Sequence, residues 1–574
     1  MGNCLPWFAA AGKVVLGPSR RRSDPVDRRR CSWLLSAALA IGVLGGLPAT
    51  GQGHSFYHEN VLGTSLELHV DSPSLETDRE AEAAVLAEIA RLARVLSTYS
   101  DASEFSRLLS GEKTPRKASR ELVEVLRACD HWKAVSGGAF NPAAEVFGRL
   151  WSQSAKQNRL PTETELADAV RRVGQSLWEI DASGETITRR ADLPLSLNAL
   201  AKGYIIDRAC RAALANTPGV TGLLLDIGGD LCVYGDAEKA IGIADPWSPA
   251  ENAPPLCCVE IRNGAVATSG NYERGFEIHG AHYSHIIDPR TGKPVERIVS
   301  ATVIAPEAAK ADALATILNV LEPSEGVALV DRLEGTECLI VTRDGAVQKS
   351  SGWDKFVIPE GELLALAEAG FAEPGQEAPG TSATLVRFQE PAEGSQEAAA
   401  GQQAEAPPEP AEPFPWGHEY EVVVELQLRS GGGWRYARPY VAVWMEDAKG
   451  RPLRTIALWG RDYQWLPYLR RWYYLHGRDR RMVYAVSRAS RPPGRYRIVW
   501  DGRANDGSYV PTGQYIVNIE ASREHGSYQL TRQMIEIGSE PFAFETKGNY
   551  EVPRASIEYR PKKSLEEQRK GPGT

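Results

Sequence analysis

GLLLDIGGDLCVYG, residues 222–235, is two apolar runs separated by Gly228-Gly229. Runs of this length bounded by Gly and Asp read as strands, and a Gly-Gly step between them reads as a tight hairpin turn. Outward from that hairpin the period changes. Leu122, Val125, Leu126, Cys129 and Trp132 recur at helical spacing in SRELVEVLRACDHWKAVSGG, with Gly137-Gly138 as a stop, and Glu80 to Ser97 reads as a second amphipathic helix. SHIID, from Ser284 to Asp288, reads as a further strand. The first part of the chain, about 55–370, is therefore expected to be α+β, with sheet pieces scattered among helices and no regular βαβ alternation.

Between Phe371 and Pro415 the sequence turns to Glu, Ala, Pro, Gly and Gln, too poor in large apolar residues to offset its ordering entropy. It reads as a disordered acidic linker over 371–415. Beyond it, over 416–560, the period becomes two. Tyr420, Val422, Val424, Leu426 and Leu428 share one strand face, as do Tyr496, Ile498 and Trp500, then Tyr515, Val517 and Ile519. An all-β sandwich follows, with a disordered tail at 561–574. The Arg-aromatic stretch WGRDYQWLPYLRRWYYLHGRDRR, 459–481, reads either as sandwich core or as a docking face.

The chain has 574 residues, which at roughly 150 per domain predicts three to four folding units. Its 65 basic and 74 acidic side chains leave a net charge of -9, so no basic field exists to hold nucleic acid. The eight cysteines form no CxxC pair or Cys/His cluster at zinc spacing. SRRRSDPVDRRR at 19–30 precedes an uncharged run from Cys31 to Leu47 and small residues at Ala49-Thr50-Gly51, the layout of a secretory signal over 1–51. Export with cleavage near Gly51 is the favoured reading. The rival is an uncleaved anchor, since the run is just short of the ~18 residues needed to span a bilayer. The six cysteines after Gly51, all before the linker, are taken as small buried hydrophobes.

Several residues invite a chemical reading. Asp312 and Thr316 stand four apart on a helical pattern, so their hard oxygen atoms share a face, as magnesium prefers; the bland alternative is a cap and a back-bonded hydroxyl. Lys202, followed by Gly203, reads as a point charge for a pyrophosphate or as an exposed lysine near a helix start. His285, before the Asp288-Pro289 turn, can take a proton from a hydroxyl or serve structurally, with Ser269, Tyr272 and His282 nearby in sequence.

Taken in order, VLGTSLEL (61–68), LSTY (96–99), AFNP (139–142), AKGYIID (201–207), GGD (228–230), TSGNYER (268–274), HIIDPRTGKP (285–294) and ADALAT (311–316) resemble the ApbE family of FAD:protein FMN transferases. The resemblance implies the family's α+β flavin-transferase fold and a Mg2+-dependent transfer of FMN from FAD to a Thr or Ser hydroxyl of a protein acceptor, releasing AMP. It implies metal ligation by the Ala199 carbonyl, Asp312 and Thr316. It implies FAD contacts at Leu62, Tyr99, Ala139, Phe140, Asn141, Ser196, Lys202 and Ile286, with His285 as the base. The family commonly has Met at Leu62 and Asp at Asn141 and Ser196. The sandwich resembles Ig-like modules ending in a similar Trp-Asp-Gly and Pro-x-Gly-x-Tyr pattern, and a C-terminal domain of unknown function fused to some family members.

The acceptor is expected to be an electron-transfer flavoprotein in the bacterial periplasm or at the outer face of the inner membrane, with the enzyme near that membrane. Two other functions fit the same residues: a Mg-dependent FAD pyrophosphatase giving FMN and AMP, and a catalytically decayed flavin-binding adaptor. Retention of Lys202, His285, Asp312 and Thr316 argues against the last.

Overall fold

Most strands of the first part gather into one antiparallel sheet, and the scattered pieces that were expected survive as a three-stranded sheet of Arg116–Lys117, Thr186–Arg189 and Trp178–Ile180 and a hairpin of Gly275–Ile278 with Ala281–Ser284. The structure, a computed structural model, describes residues 44–45, 53–359 and 420–562, apart from 249, 251–252, 254, 271–274, 430–437, 461–465, 478–486, 489, 492, 506, 524–526, 539 and 549. The expected signal segment (except 44–45), the linker and nearly all of the tail lie outside the described residues. The strands are β1 (His54–Val61), β2 (Thr64–Asp71), β3 (Gly222–Ile227), β4 (Asp230–Ile243), β5 (Cys257–Gly270), β6 (Ile298–Ala305), β7 (Glu337–Thr342) and β8 (Val347–Lys349). They run β8-β7-β6-β5-β4-β3-β2-β1, with the short pair Leu44–Gly45 added beside β4.

Both faces of the sheet are covered. Leu223 and Leu225 of β3 join Leu66 and Leu68 of β2 in a core shared with helices α1 (Leu75–Leu96), α2 (Arg120–Val135), α3 (Asn198–Asn216) and α4 (Ala308–Val320). Leu224, one residue out of phase, joins Val233, Val259, Ile304 and Trp353 in a second core. Two-sided burial explains why GLLLDI is a continuous apolar run. Helix α1 starts earlier than its apolar period suggests, because the Ser74 hydroxyl accepts from the Thr77 amide and acidic Glu76 and Asp78 occupy the first turn.

One expectation changes. SHIID is not a strand: the strand is Ala281–Ser284, and after it only Ile287 bridges, to Pro294, whose missing N–H cannot extend a ladder. Of the six cysteines taken as small hydrophobes, Cys129, Cys257, Cys258 and Cys338 are free, and Cys210 and Cys232 lie in the core with their sulfurs in contact and their Cα atoms 7.8 Å apart, wider than a relaxed disulfide spans. Helix α3 packs across β4, bringing these two buried sulfurs together.

The second part is a sandwich, as its period-two strands predict. One sheet holds β9 (Tyr420–Leu428), β12 (Gly494–Trp500), β15 (Phe542–Lys547) and β16 (Arg554–Pro561), in the order β12-β9-β16-β15. The other holds β10 (Tyr440–Asp447), β11 (Pro452–Trp459), β13 (Gly513–Ser522) and β14 (Tyr528–Ile537), with Ser487–Arg488 at one edge. The anticipated inward residues, among them Val422, Val424, Leu426, Ile498, Trp500, Val517 and Ile519, form the core between them. From the Arg-aromatic stretch, Leu466, Leu469 and Trp472 pack against Ala442, Trp444 and Leu458 on the outer face of the second sheet, while Tyr474 is 81% exposed. Core and surface readings of that stretch each hold for some of its residues.

The contact that sets the first part's geometry joins α3 to α4. Asp207 of α3, buried, accepts from the Ala308 and Ala309 amides at 2.8 and 2.9 Å, and from the Tyr234 hydroxyl at 2.9 Å. It thus caps α4 from another helix, where Glu307 at the N-cap position supplies no side-chain bond. Four residues earlier, a Cβ on Gly203 would stand 2.3 Å from the Ala308 carbonyl oxygen, so only glycine permits this approach. Asp207→Ala strands the buried Ala308 amide and the half-buried Ala309 amide, and should lower stability by about 2 kcal/mol. Thermal unfolding checks it, and an unchanged midpoint would contradict the assigned cap.

Candidate active site at the α3–α4 junction

The hairpin of the opening stretch delivers the first component. Gly228 and Gly229 have φ of 65° and 92°, with Ile227 paired to Asp230, giving a two-residue left-handed turn. The neighbouring β1–β2 turn has the same form, with Leu62 at φ 48° and Gly63 at 81°. Leucine is strained there, and contact of its side chain with the core offsets the strain. The two turns lie side by side, the Gly228 amide donating to the Ser65 carbonyl at 3.1 Å.

Asp230, just past the turn, pairs with Lys202 of α3, Nζ to Oδ2 at 2.6 Å. The next residue, Gly203, donates its amide to Asp312 Oδ2 of α4 at 3.2 Å. Asp226 accepts from the Gly229 amide at 2.8 Å. Burial, and then Asp230, push the Asp312 carboxyl above the usual range, against the pull of Lys202. Burial also raises Asp230, opposed by Lys202, and lifts Asp226 to about 6. Burial alone would depress the Lys202 ammonium, but Asp230, Asp312 and Asp226 outweigh it and hold the lysine charged. One ammonium therefore serves three crowded carboxyl groups.

That surplus of negative charge fits a divalent cation. Among the described residues no three His, Cys, Asp or Glu side chains converge as a metal cluster. Asp312 and Thr316 stand one turn apart on α4, and Ala199 lies in the first turn of α3, so the hard oxygen atoms that the family resemblance implies as ligands come from the two helices that meet here.

The start of α3 also gathers the second component. The Ser196 amide donates to the Pro142 carbonyl at 2.8 Å, its hydroxyl accepts from the Asn198 amide at 3.3 Å, and Asn198 Nδ2 donates to the Tyr99 hydroxyl at 2.6 Å. Tyr99, Asn141 and Ser196 thus sit on segments that meet at the start of α3, with Ala139 and Phe140 buried beside them. Asn141 is committed to the backbone: Oδ1 accepts from the Ala143 amide at 3.0 Å and Nδ2 donates to the Val173 carbonyl at 3.3 Å.

His285 follows strand Ala281–Ser284 and is exposed. Ile286 is buried, its amide donating to Ser284 Oγ and its carbonyl accepting from Val295. The hairpin beyond is pinned where Trp151 Nε1 donates to the Gly292 carbonyl at 2.9 Å, and where Arg290, held by Asp288, reaches the Val320 carbonyl ending α4. Of the other nearby candidates, Tyr272 lies outside the described residues, His282 pairs with Glu277, and the Ser269 carbonyl accepts from buried Asn319 of α4. A cleft of about 540 Å³ lies against the hairpin, lined by Trp151, Tyr283, Lys293 and Asn319 among others, but not by Lys202, Asp230 or Asp312.

Comparison with known proteins decides the family. A profile described as the ApbE family matches residues 62–340, and a Treponema pallidum protein named FAD:protein FMN transferase is 31% identical over 316 residues, covering 51% of this chain and 86% of the relative. The chain belongs to the ApbE family. A Vibrio cholerae protein of the same name is 26% identical over 342 residues, covering 57% of this chain and 99% of its own length. The crystal structure of the ApbE protein from Thermotoga maritima is 28% identical, covers 54% of this chain and all of that chain, and has a TM-score of 0.48. Residues 421–554 match a second profile, described as a predicted periplasmic protein, DUF2271.

Sequence reasoning did not single out Asp207, Asp226, Asp230 or Asn319 as individual residues, although the AKGYIID and GGD motifs carry two of them. In this ApbE protein the Asn141 amide nitrogen donates to the Val173 carbonyl. Asn141→Asp sets a carboxylate oxygen against the Val173 carbonyl, and should cost about 1 kcal/mol. A thermal midpoint equal to or above the parent's would contradict that placement of Nδ2.

Proposed function

We propose that this chain transfers FMN from FAD to a Thr or Ser hydroxyl of a protein acceptor, with AMP as leaving group, and that it does so outside the cytoplasm. The observation that carries this reading is the single lysine held among Asp226, Asp230 and Asp312 where α3 meets α4. The names of the relatives and the ordered motifs support it. The Ala199 carbonyl, Asp312 and Thr316 would hold Mg2+, which when bound would supply charge neutralisation for the pyrophosphate.

Lys202 donates to the pyrophosphate and offsets charge that builds as it is cleaved. The segments carrying Leu62, Tyr99, Ala139, Phe140, Asn141, Ser196 and Ile286 enclose the flavin nucleotide and fix its direction. His285, exposed to an incoming polypeptide, accepts the proton of the acceptor hydroxyl. The hydroxyl oxygen bonds to the FMN phosphorus, the bridging P–O bond breaks, and AMP leaves with the electron pair. The signal-like N-terminus and the periplasmic description of the second profile support an exported location, in the periplasm or at the outer face of the inner membrane. No helix among the described residues is long and apolar enough to cross a membrane. An electron-transfer flavoprotein suits this setting as acceptor, because flavin linked covalently is not lost there.

Incubation of the protein with FAD, Mg2+ and a candidate acceptor should add one FMN to the acceptor mass and release AMP. AMP and free FMN without acceptor modification would instead identify a pyrophosphatase. Asp312→Ala should remove metal-dependent turnover with near-parental stability, and full activity of that variant without added metal would contradict the ligand assignment. His285→Ala should slow single-turnover transfer by about 10²- to 10⁴-fold with little change in FAD affinity. A large affinity loss at an unchanged saturated rate would make His285 structural.

A further inference from the structure

We propose that Asp230 is a positioning residue, which acts through Lys202 to hold the ammonium where it meets the pyrophosphate of FAD. This rests on the placement of Lys202 in the proposed transfer. A lysine ends in a compact charge on a flexible four-carbon stem, and it aims poorly unless something fixes its tip. The Lys202 side chain is 31% exposed, so packing alone does not hold it, and its Nζ lies 2.6 Å from an Asp230 carboxylate that is 5% exposed.

Asp230 is itself well held. It follows the left-handed Gly228-Gly229 turn, whose backbone is tied by the Gly229 amide to Asp226 at 2.8 Å and by the Gly228 amide to the Ser65 carbonyl. Bonds to β3 and β2 therefore fix the turn from which Asp230 projects, and its buried carboxylate locates one ammonium. An ammonium has three protons, so the ion pair with Asp230 leaves protons for phosphate oxygens.

Simple electrostatics predicts the opposite effect of removing Asp230. A carboxylate beside a phosphate site repels the ligand, so if Asp230 were only a nearby charge, Asp230→Asn would tighten FAD binding. If it aims Lys202, the same change weakens binding, and the loss disappears once the lysine is gone.

The test is a double-mutant cycle on flavin binding, read by fluorescence titration in EDTA so that FAD is not consumed. The parent, Asp230→Asn, Lys202→Met and the double variant are each titrated with FAD and with riboflavin, which lacks phosphates. Asp230→Asn should weaken FAD binding about 10-fold, leave riboflavin binding unchanged, and have less than about a twofold effect in the Lys202→Met background. Tighter FAD binding by Asp230→Asn, equal losses for FAD and riboflavin, or additive losses in the double variant would each overturn the proposal. A parent that binds FAD no better than riboflavin, or a Lys202→Met variant that binds FAD as the parent does, would overturn the placement of Lys202 beneath it.

Discussion

Asp207 ties the first amides of one helix to the middle of another. The proposed site draws Lys202 and the Ala199 carbonyl from α3, and Asp312 and Thr316 from α4. These can cooperate only if the two helices keep a fixed spacing and rotation. Asp207 sets the spacing by capping Ala308 and Ala309, and Gly203 lets the backbones close until its amide reaches Asp312. The alanines of ADALAT keep α4 slender enough to lie buried between α3 and the sheet. Sheet order follows from the same need, since β3 and β4 place the Gly228-Gly229 turn and Asp230 beside Lys202.

Much of the fold was legible because its signals are local. The Gly-Gly hairpin, the period of Leu122 to Trp132 and the alternation from Tyr420 to Leu428 each depend on neighbours within a few residues, and the structure keeps them all. What was not legible depends on partners far away in sequence. Nothing near Cys210 announces Cys232. A strand at SHIID looked sound until Pro294 proved to be its partner. The sheet's single, continuous order likewise needs pairings such as β2 with β3, more than a hundred residues apart in the chain.

The site divides the same way. Lys202, Asp312 and Thr316 drew notice by residue type and spacing, which left their ordinary readings open, and it was the ordered motifs that proposed roles for them. Asp230 and Asp207 were passed over because an aspartate after a glycine pair, or inside a helix, has too many ordinary uses. Asn141 shows the converse. The sequence presented it as a departure from the family's aspartate that put FAD contacts in question, whereas the structure uses its amide as a donor to Val173, which aspartate lacks.

The central claim is that the crowded carboxyl groups and lone lysine at the α3–α4 junction form a cation site shared by two helices. Anomalous diffraction from crystals of the protein grown with Mn2+ tests it most directly. The account predicts one strong peak about 2.0–2.2 Å from Asp312, the Thr316 hydroxyl and the Ala199 carbonyl, at the distances hard oxygen ligands keep from so small an ion. A saturated crystal with its peak elsewhere, or a peak touching Asp312 but neither α3 nor Thr316, would contradict it.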